Sequence, residues 1–429
     1  MRRAGGSSFR NATLMLVISV LTFAGGEVWQ GCADEAQIKA KLEALRKAGE
    51  PTTGEELDRL YSEPPVGENA ASILTNAFAK LHLERLSELS AVPIMGTARL
   101  PEPGMPLTSE MREGIQRVLA SNREALQLLH EGVQRNECRY PSDFRLGLDS
   151  VKLPHLAKIK TAAELLDLEA LLAADDGQTS KSAEAIADFL RLGMTLRNEP
   201  SGFSQLIRMA CNHIAYTGLE WVLNRQEFTD SELHKLQEVF AKSEFPQAAR
   251  LAMVAQRANL IMAYQLPRAK RDAWIEQLLF LEPDAKASQE DWPGDITICL
   301  NFFERIIDAI EHGEKTPGDL NKQLGQVKIK RHVLTKIILP AFVRIVEKNS
   351  NDMAYLRSAQ VVIAVERYRR AHQNELPASL EELAPKWLEH LPLDPFGGES
   401  FQYEKQPAAG YRISSRGMNG KKPIGITVK

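Results

Sequence analysis

The sequence predicts a mainly α-helical protein: a helical-hairpin array followed by a small α+β module, in which a long helix carries a short antiparallel sheet. Three observations predict it. Apolar residues recur at helical spacing in three stripes between Leu153 and Asn224. Short alternating segments separated by Gly and Pro follow Asp394. The chain opens on a charge-free apolar run behind arginines, which marks residues 1–26 as an address and not as part of the fold. Composition agrees. Of 429 residues, 44% are apolar and 25% charged, a globular balance that excludes wholesale disorder and leaves room for two or three structural units. Lys+Arg number 53 against 56 Asp+Glu, so the basic excess of a dedicated nucleic-acid binder is missing. Aromatics are only 7%, few for an aromatic-lined sugar or base site.

Arg2, Arg3 and Arg10 precede the run Ala12 to Gly26, fifteen residues without charge. This matches the basic n-region and short apolar core of an export signal, and falls short of the roughly 20 residues of a spanning helix. Ala24 and Gly26 are spaced for cleavage before Glu27, whereas Val28 and Trp29 suit an interfacial anchor. A cleaved signal and a single membrane anchor over residues 12–29 both stay open. Cys32 after Gly31 adds a lipidation alternative, although Trp29 and Glu27 fit such a site poorly. Removing residues 1–26 takes away three arginines and no acid, leaving a more acidic exported chain. The address is therefore the cell envelope.

Residues 27–350 form the predicted helical body. Thr53 with Glu56 makes a capping-box pattern, and a helix is expected from Glu68 to about Leu89. Pro93, Pro101, Pro103 and Pro106 mark a long loop over 91–107, after which helix resumes from Ser109 to about Gln134. Leu156, Ile159, Ala163, Leu166 and Ala170 line one helical face; Ala183, Ile186, Leu190 and Gly193 a second; Ile207, Cys211, Ile214, Gly218 and Trp221 a third. Breaks at Asp175-Asp176-Gly177 and at Asn198 to Gly202 turn these helices into antiparallel hairpins. A tetratricopeptide-like turn is visible, but a clean 34-residue period is not. Thr229 with Glu232 caps a further helix to about Lys242, and another spans Ala248 to Tyr264. A second loop is expected over 282–295, then helices from Ile296 to about Lys348, interrupted at Pro340.

Residues 351–429 form the predicted α+β module. Tyr355 to His372 carries a broad apolar surface and belongs at a domain centre. Leu376-Pro377 stops it, Ser379 with Glu382 caps a short helix, and Asp394-Pro395-Phe396-Gly397-Gly398 is a turn. Phe401 with Tyr403, Tyr411 with Ile413, and Ile424 with Ile426 and Val428 give three short strands packed on the long helix.

The run AVERYRRAHQNELPASLEELAPKWLEHLPLDPFGGESFQY, followed by YRISSRG, resembles the headpiece of the type II secretion major pseudopilin over residues 353–420. The resemblance implies a long helix, a short Pro-x-Ser-Leu helix, a proline-bounded loop and sheet strands. A pseudopilin starts on a processed spanning helix with a glutamate near its beginning, and binds calcium through acids after its last glycines. Here Gly6 to Asn11 holds no glutamate, and Gly417-Met418-Asn419-Gly420-Lys421-Lys422 holds no carboxylate, so calcium is not expected. The segments from Tyr61 to Ala71 and around Arg139-Tyr140-Pro141 resemble uncharacterised bacterial exported or membrane-anchored helical proteins, which implies architecture and address but no activity.

No catalytic, cofactor-binding or metal-ligating residue is singled out. HExxH, a GxSxG elbow, a Walker loop and CxxC pairs are all missing. His82, His130, His155, His213, His234 and His312 fall on or beside helices and read as structural histidines; Cys211 reads as a small buried hydrophobe. Lys322, Lys328, Lys330, Arg331, Lys336, Arg344 and Lys348 make a basic stretch read as a solvated helix face. The expectation is a non-enzymatic envelope protein that binds an unidentified protein partner, with membrane contact through its N-terminal segment if that segment is uncleaved, and with neither nucleic acid nor an identified small-molecule substrate. Two alternatives are an exported hydrolase with dispersed acidic catalytic residues, and an accessory component of a type II secretion-like system.

Overall fold

The computed structural model describes residues 35–82, 88–147, 152–267, 269–271, 292–312, 333–407, 410–417 and 424–429. The expected export segment and Cys32 lie outside the described residues, as do most of the 282–295 loop, the basic residues Lys322 to Arg331, and Met418 to Lys422. The fold is mainly helical, with a small three-stranded antiparallel sheet near the C-terminus. Among the described residues no helix is long and apolar enough to cross a membrane.

By its contacts the chain forms two compact units: residues 1–53 with 257–344, and residues 54–256 with 345–429. The helices are α1 (Glu35–Lys47), α2 (Gly54–Leu60), α3 (Ala71–Lys80), α4 (Ser109–Ser121), α5 (Arg123–Gly132), α6 (His155–Asp175), α7 (Thr179–Met194), α8 (Gly202–Leu223), α9 (Asp230–Lys242), α10 (Ala248–Gln265), α11 (Trp292–His312) and α12 (Val333–Ala371). The strands are β1 (Gln402–Lys405), β2 (Tyr411–Ser414) and β3 (Gly425–Val428).

In the first unit, Ile38, Leu42 and Leu45 of α1 are buried, as are Ile296, Leu300 and Phe303 of α11. Lys41 pairs with Glu304 at 2.8 Å, and the Phe303 and Phe342 rings meet at 4.9 Å. Asp295, in the first turn of α11, accepts bonds from the backbone and hydroxyl of Thr335. Residues 292–295 are therefore helix where a loop was expected. Pro293 near a helix start gives up only an N–H that has no intrahelical partner there.

The second unit holds the hairpin array. Helix α6 ends in a Schellman motif: Gln178 N–H bonds the Ala173 carbonyl at 2.8 Å and Gly177 N–H that of Ala174, with Gly177 at φ +74°. Glycine permits that left-handed turn, and the turn reverses the chain into α7. Ser201 caps α8 by accepting from Ser204 N–H. Thr229 and Glu232 close the expected capping box on α9. The three sequence stripes become α6, α7 and α8, whose inward faces are buried.

Two expected helices differ from the structure for a common reason. The helix from Glu68 stops at Lys80, and the helix from Ser109 breaks at Asn122. Buried Asn122 accepts from His82 N–H at 2.8 Å and donates to the His82 carbonyl at 3.2 Å. A side-chain clip between distant segments satisfies backbone groups that helix would otherwise use. The expected interruption at Pro340 is also corrected: α12 runs through it for 39 residues. Leu339, Val343, Val346 and Leu356 are buried on either side, and such burial outweighs the roughly 3 kcal/mol of an interior proline.

The C-terminal elements share the second unit's core. Val361, Val362, Ile363 and Val365 of α12 and Tyr411, Ile413, Ile426 and Val428 of the sheet join one apolar cluster with α6–α9. The sheet order is β1-β2-β3, both pairs antiparallel. Tyr411 donates its hydroxyl to the Val362 carbonyl or to Glu366. The outer side of β3 is bound to α8: Thr427 N–H donates to Glu220 at 2.9 Å, and Asn224 donates to the Thr427 carbonyl at 2.8 Å. Ser379 does not cap its short helix through its side chain; that segment is a 3-10 turn, and Glu382 accepts from Ala378 N–H and Tyr368 OH instead. Buried Asp394 organises the predicted turn, accepting from Ser415 Oγ and Arg416 N–H at 2.8 Å.

Candidate functional site

Helices α5, α6 and α7 bring together ionisable groups that are far apart in sequence. His130 lies at the end of α5, Glu169 on α6, and Asp188 on α7. The His130 imidazole bridges the two acids, with Nδ1 2.7 Å from Asp188 and Nε2 2.8 Å from Glu169. Asp188 also accepts from Gln134 at 2.8 Å and pairs with Arg191 at 2.5 Å. Glu169 is also paired with Lys181 at 3.2 Å. These groups line a depression of about 530 Å³ together with Glu131 and Glu184.

The electrostatics follow from that pairing. Hydrogen bonds donated to Asp188 and Glu169 favour the imidazolium more than partial burial opposes it, so the His130 pKa is pushed up to about 10. Burial raises the Glu169 carboxyl, but His130 and Lys181 together outweigh it and hold the group below its ordinary range. Both imidazole nitrogens are engaged, so His130 presents no lone pair at neutral pH. A histidine held this way is a fixed cation and a poor general base near pH 7.

A second, deeper network starts at His155, the first residue of α6. His155 Nε2 is 2.9 Å from Glu199, which also accepts from Ser142. Tyr140 stacks on His155 with ring centroids 4.2 Å apart and hydrogen-bonds Thr195 at 2.9 Å. Glu199 is fully buried and His155 nearly so. Elsewhere in the second unit, buried Arg208 donates to Asp352 at 2.9 Å, and Asn212 donates to the other carboxylate oxygen.

Asp167 is different. It is buried on α6, its Oδ1 2.8 Å from where a Gly218 side chain would begin, and no hydrogen bond or ion pair to it occurs among the described residues. Burial first, and the Glu164 charge second, push its pKa up to about 8.

The six histidines read as structural include the two that anchor these networks, His130 and His155. Sequence reasoning missed the acids. The available signal was polar residues inside apolar stripes: Asp167 and Glu169 in the α6 run, and Asp188 between Ala187 and Phe189. Cys211 is buried as expected, and Cys138, Cys211 and Cys299 are free thiols. Among the described residues no group of three or more His, Cys, Asp and Glu side chains is placed to hold a metal ion.

Fold and site together define a class: an α-helical hairpin protein that builds a C-terminal sheet into its core and carries a charge-paired depression on α5–α7. Comparison with family models, with curated proteins and with solved structures returns no match.

Proposed function

We propose that this chain is a non-enzymatic, envelope-located interaction module. Residues 12–29 deliver it, the helical hairpins present a contact face over His130, and the pseudopilin-like C-terminal segment serves as a structural layer. One observation carries this reading: the ionisable groups His130, Asp188 and Glu169 that line the depression are paired with one another, with His130 fixed as a cation between the two acids. An imidazole held in this way does not serve as a general base near neutral pH, whereas the arrangement offers a preset pattern of charge for recognition.

The test places a photo-cross-linking residue at exposed Glu131 or Glu184, beside the cluster, and at Glu404 as a control. Irradiation of intact cells is expected to give a discrete adduct from the first two positions only. Equal yields from all three positions, or no adduct, would contradict the reading. Fractionation with N-terminal sequencing checks the address, and intact full-length chain in the cytosol would overturn it.

A further inference from the structure

Next to the His130 depression, the C-terminal ends of α5, α7 and α9 converge on a second cavity of about 450 Å³. Its lining includes Arg135, Arg191, Arg197 and Lys242 against a single acid, Glu137. That reverses the sign of the chain as a whole, whose net charge is −3. The volume falls in the range of small-molecule sites, roughly 300–1,000 Å³.

Helix C-termini attract cations, so part of this charge has an ordinary explanation. Each end carries at most about half a negative charge, concentrated on unsatisfied carbonyls. Here local bonds already close many of them: Val133, Thr195 and Ser243 N–H groups cap the three ends, and the Lys242 carbonyl accepts from Arg197. The dipoles therefore offset part of the positive charge and not all of it.

What separates the four cations is how they are paired. Arg191 is committed to Asp188. Lys242 lies 3.7 Å from Glu238, both side chains more than half exposed, which makes a weak pair. Arg135 donates to the Gly67 carbonyl and Arg197 to the Lys242 carbonyl. Neither guanidinium has a carboxylate partner among the described residues. Arg197 is further held over the Phe245 ring, 4.9 Å from its centroid, which fixes its plane. A guanidinium has five donors, and most of those on Arg135 and Arg197 stay available. Gln134, Asn136, Thr195 and Asn198 line the same cavity with neutral polar groups.

We propose that this cavity binds a small molecule carrying a multiply charged oxyanion, a phosphate ester or a polycarboxylate, with Arg135 and Arg197 as its principal contacts and Lys242 as an outer one. Planar guanidinium forks match both oxyanions in pairs of hydrogen bonds. The proposal is independent of the partner reading, because it concerns the purified chain alone.

The test uses the full-length chain purified in mild detergent, with pyrophosphate and citrate as probes in isothermal titration at low salt. Saturable binding by at least one probe is expected, weakening as salt rises. Pyrophosphate alone would assign the phosphate class, and citrate alone the carboxylate class. The double variant Arg135→Gln/Arg197→Gln should bind roughly tenfold more weakly or worse, since charge-assisted bonds are lost. Lys405→Gln, on β1, should leave affinity unchanged. If the double variant does not fold, Lys242→Gln replaces it, with a several-fold loss expected. Failure of both probes to bind at about 1 mM, or unchanged affinity in the folded variant, overturns the proposal.

Discussion

Replacing Asp167 with asparagine removes a carboxyl that burial keeps protonated, and should make the second unit more resistant to alkaline pH. The ordinary carboxyl value is 3.8 and the folded value is about 8. The folded state therefore holds a proton that the unfolded chain releases, and stability falls by about 1.4 kcal/mol per pH step between those values. The contribution is fully present below pH 3.8 and is lost as pH rises through about 8. Between pH 5 and pH 8 the wild-type chain should lose roughly 4 kcal/mol through this one group, while asparagine, neutral in both states, loses none. Chemical denaturation followed by tryptophan fluorescence, to which Trp221 contributes as one of five tryptophans, measures this. Trp221 is buried on α8, one turn beyond the Gly218 that faces Asp167. The stability gap between Asp167→Asn and wild type should widen in favour of the variant as pH rises. A gap that stays constant from pH 5 to pH 8 would mean that Asp167 is ionised and solvated in the folded protein, and would refute the reasoning.

Three further outcomes are expected. His130→Gln strips Asp188 and Glu169 of their shared cation and should destabilise by about 2 kcal/mol at pH 7, a third of the imidazole being exposed to screening solvent. Because the His130 pKa is raised, its contribution is complete below 6.5 and fades as pH approaches 10, so this penalty should shrink at high pH in denaturation curves. Arg208→Met leaves the Asp352 carboxylate buried without its cation and should cost about 3–5 kcal/mol, while Arg208→Met/Asp352→Leu should recover much of that loss in a double-mutant cycle. Asn122→Ala opens the clip on His82 and should cost about 1–3 kcal/mol, with faster hydrogen exchange at the His82 amide.

Much of the fold was legible from residue spacing, and its failures are local. The α6–α8 stripes, the Gly177 reversal, the Thr229 capping box and the paired faces of β1–β3 are properties of neighbouring residues, so periodicity and turn chemistry reveal them. The early end of α3 and the break at Asn122 depend on a clip between residues 40 apart in sequence, which no local pattern contains. Pro340 misleads for the opposite reason: a strong local breaker is overruled by burial on both sides. The site was harder still. His130 reads as a structural histidine and Glu169 and Asp188 draw no reading at all; the three become a cluster only when α5, α6 and α7 pack together. Their separate sequence positions carry a hint of polarity in apolar stripes, but not the fact that they meet.

His130 is a locked cation and not a proton acceptor. Observing its ring carbons and nitrogens by NMR between pH 5 and pH 10 tests this most directly, with His130→Gln assigning the signals. An imidazolium with both ring protons present should persist through pH 8 and titrate only near pH 10. A midpoint near 6.5, or a neutral ring at pH 7, would contradict this and return the site to the class of available bases.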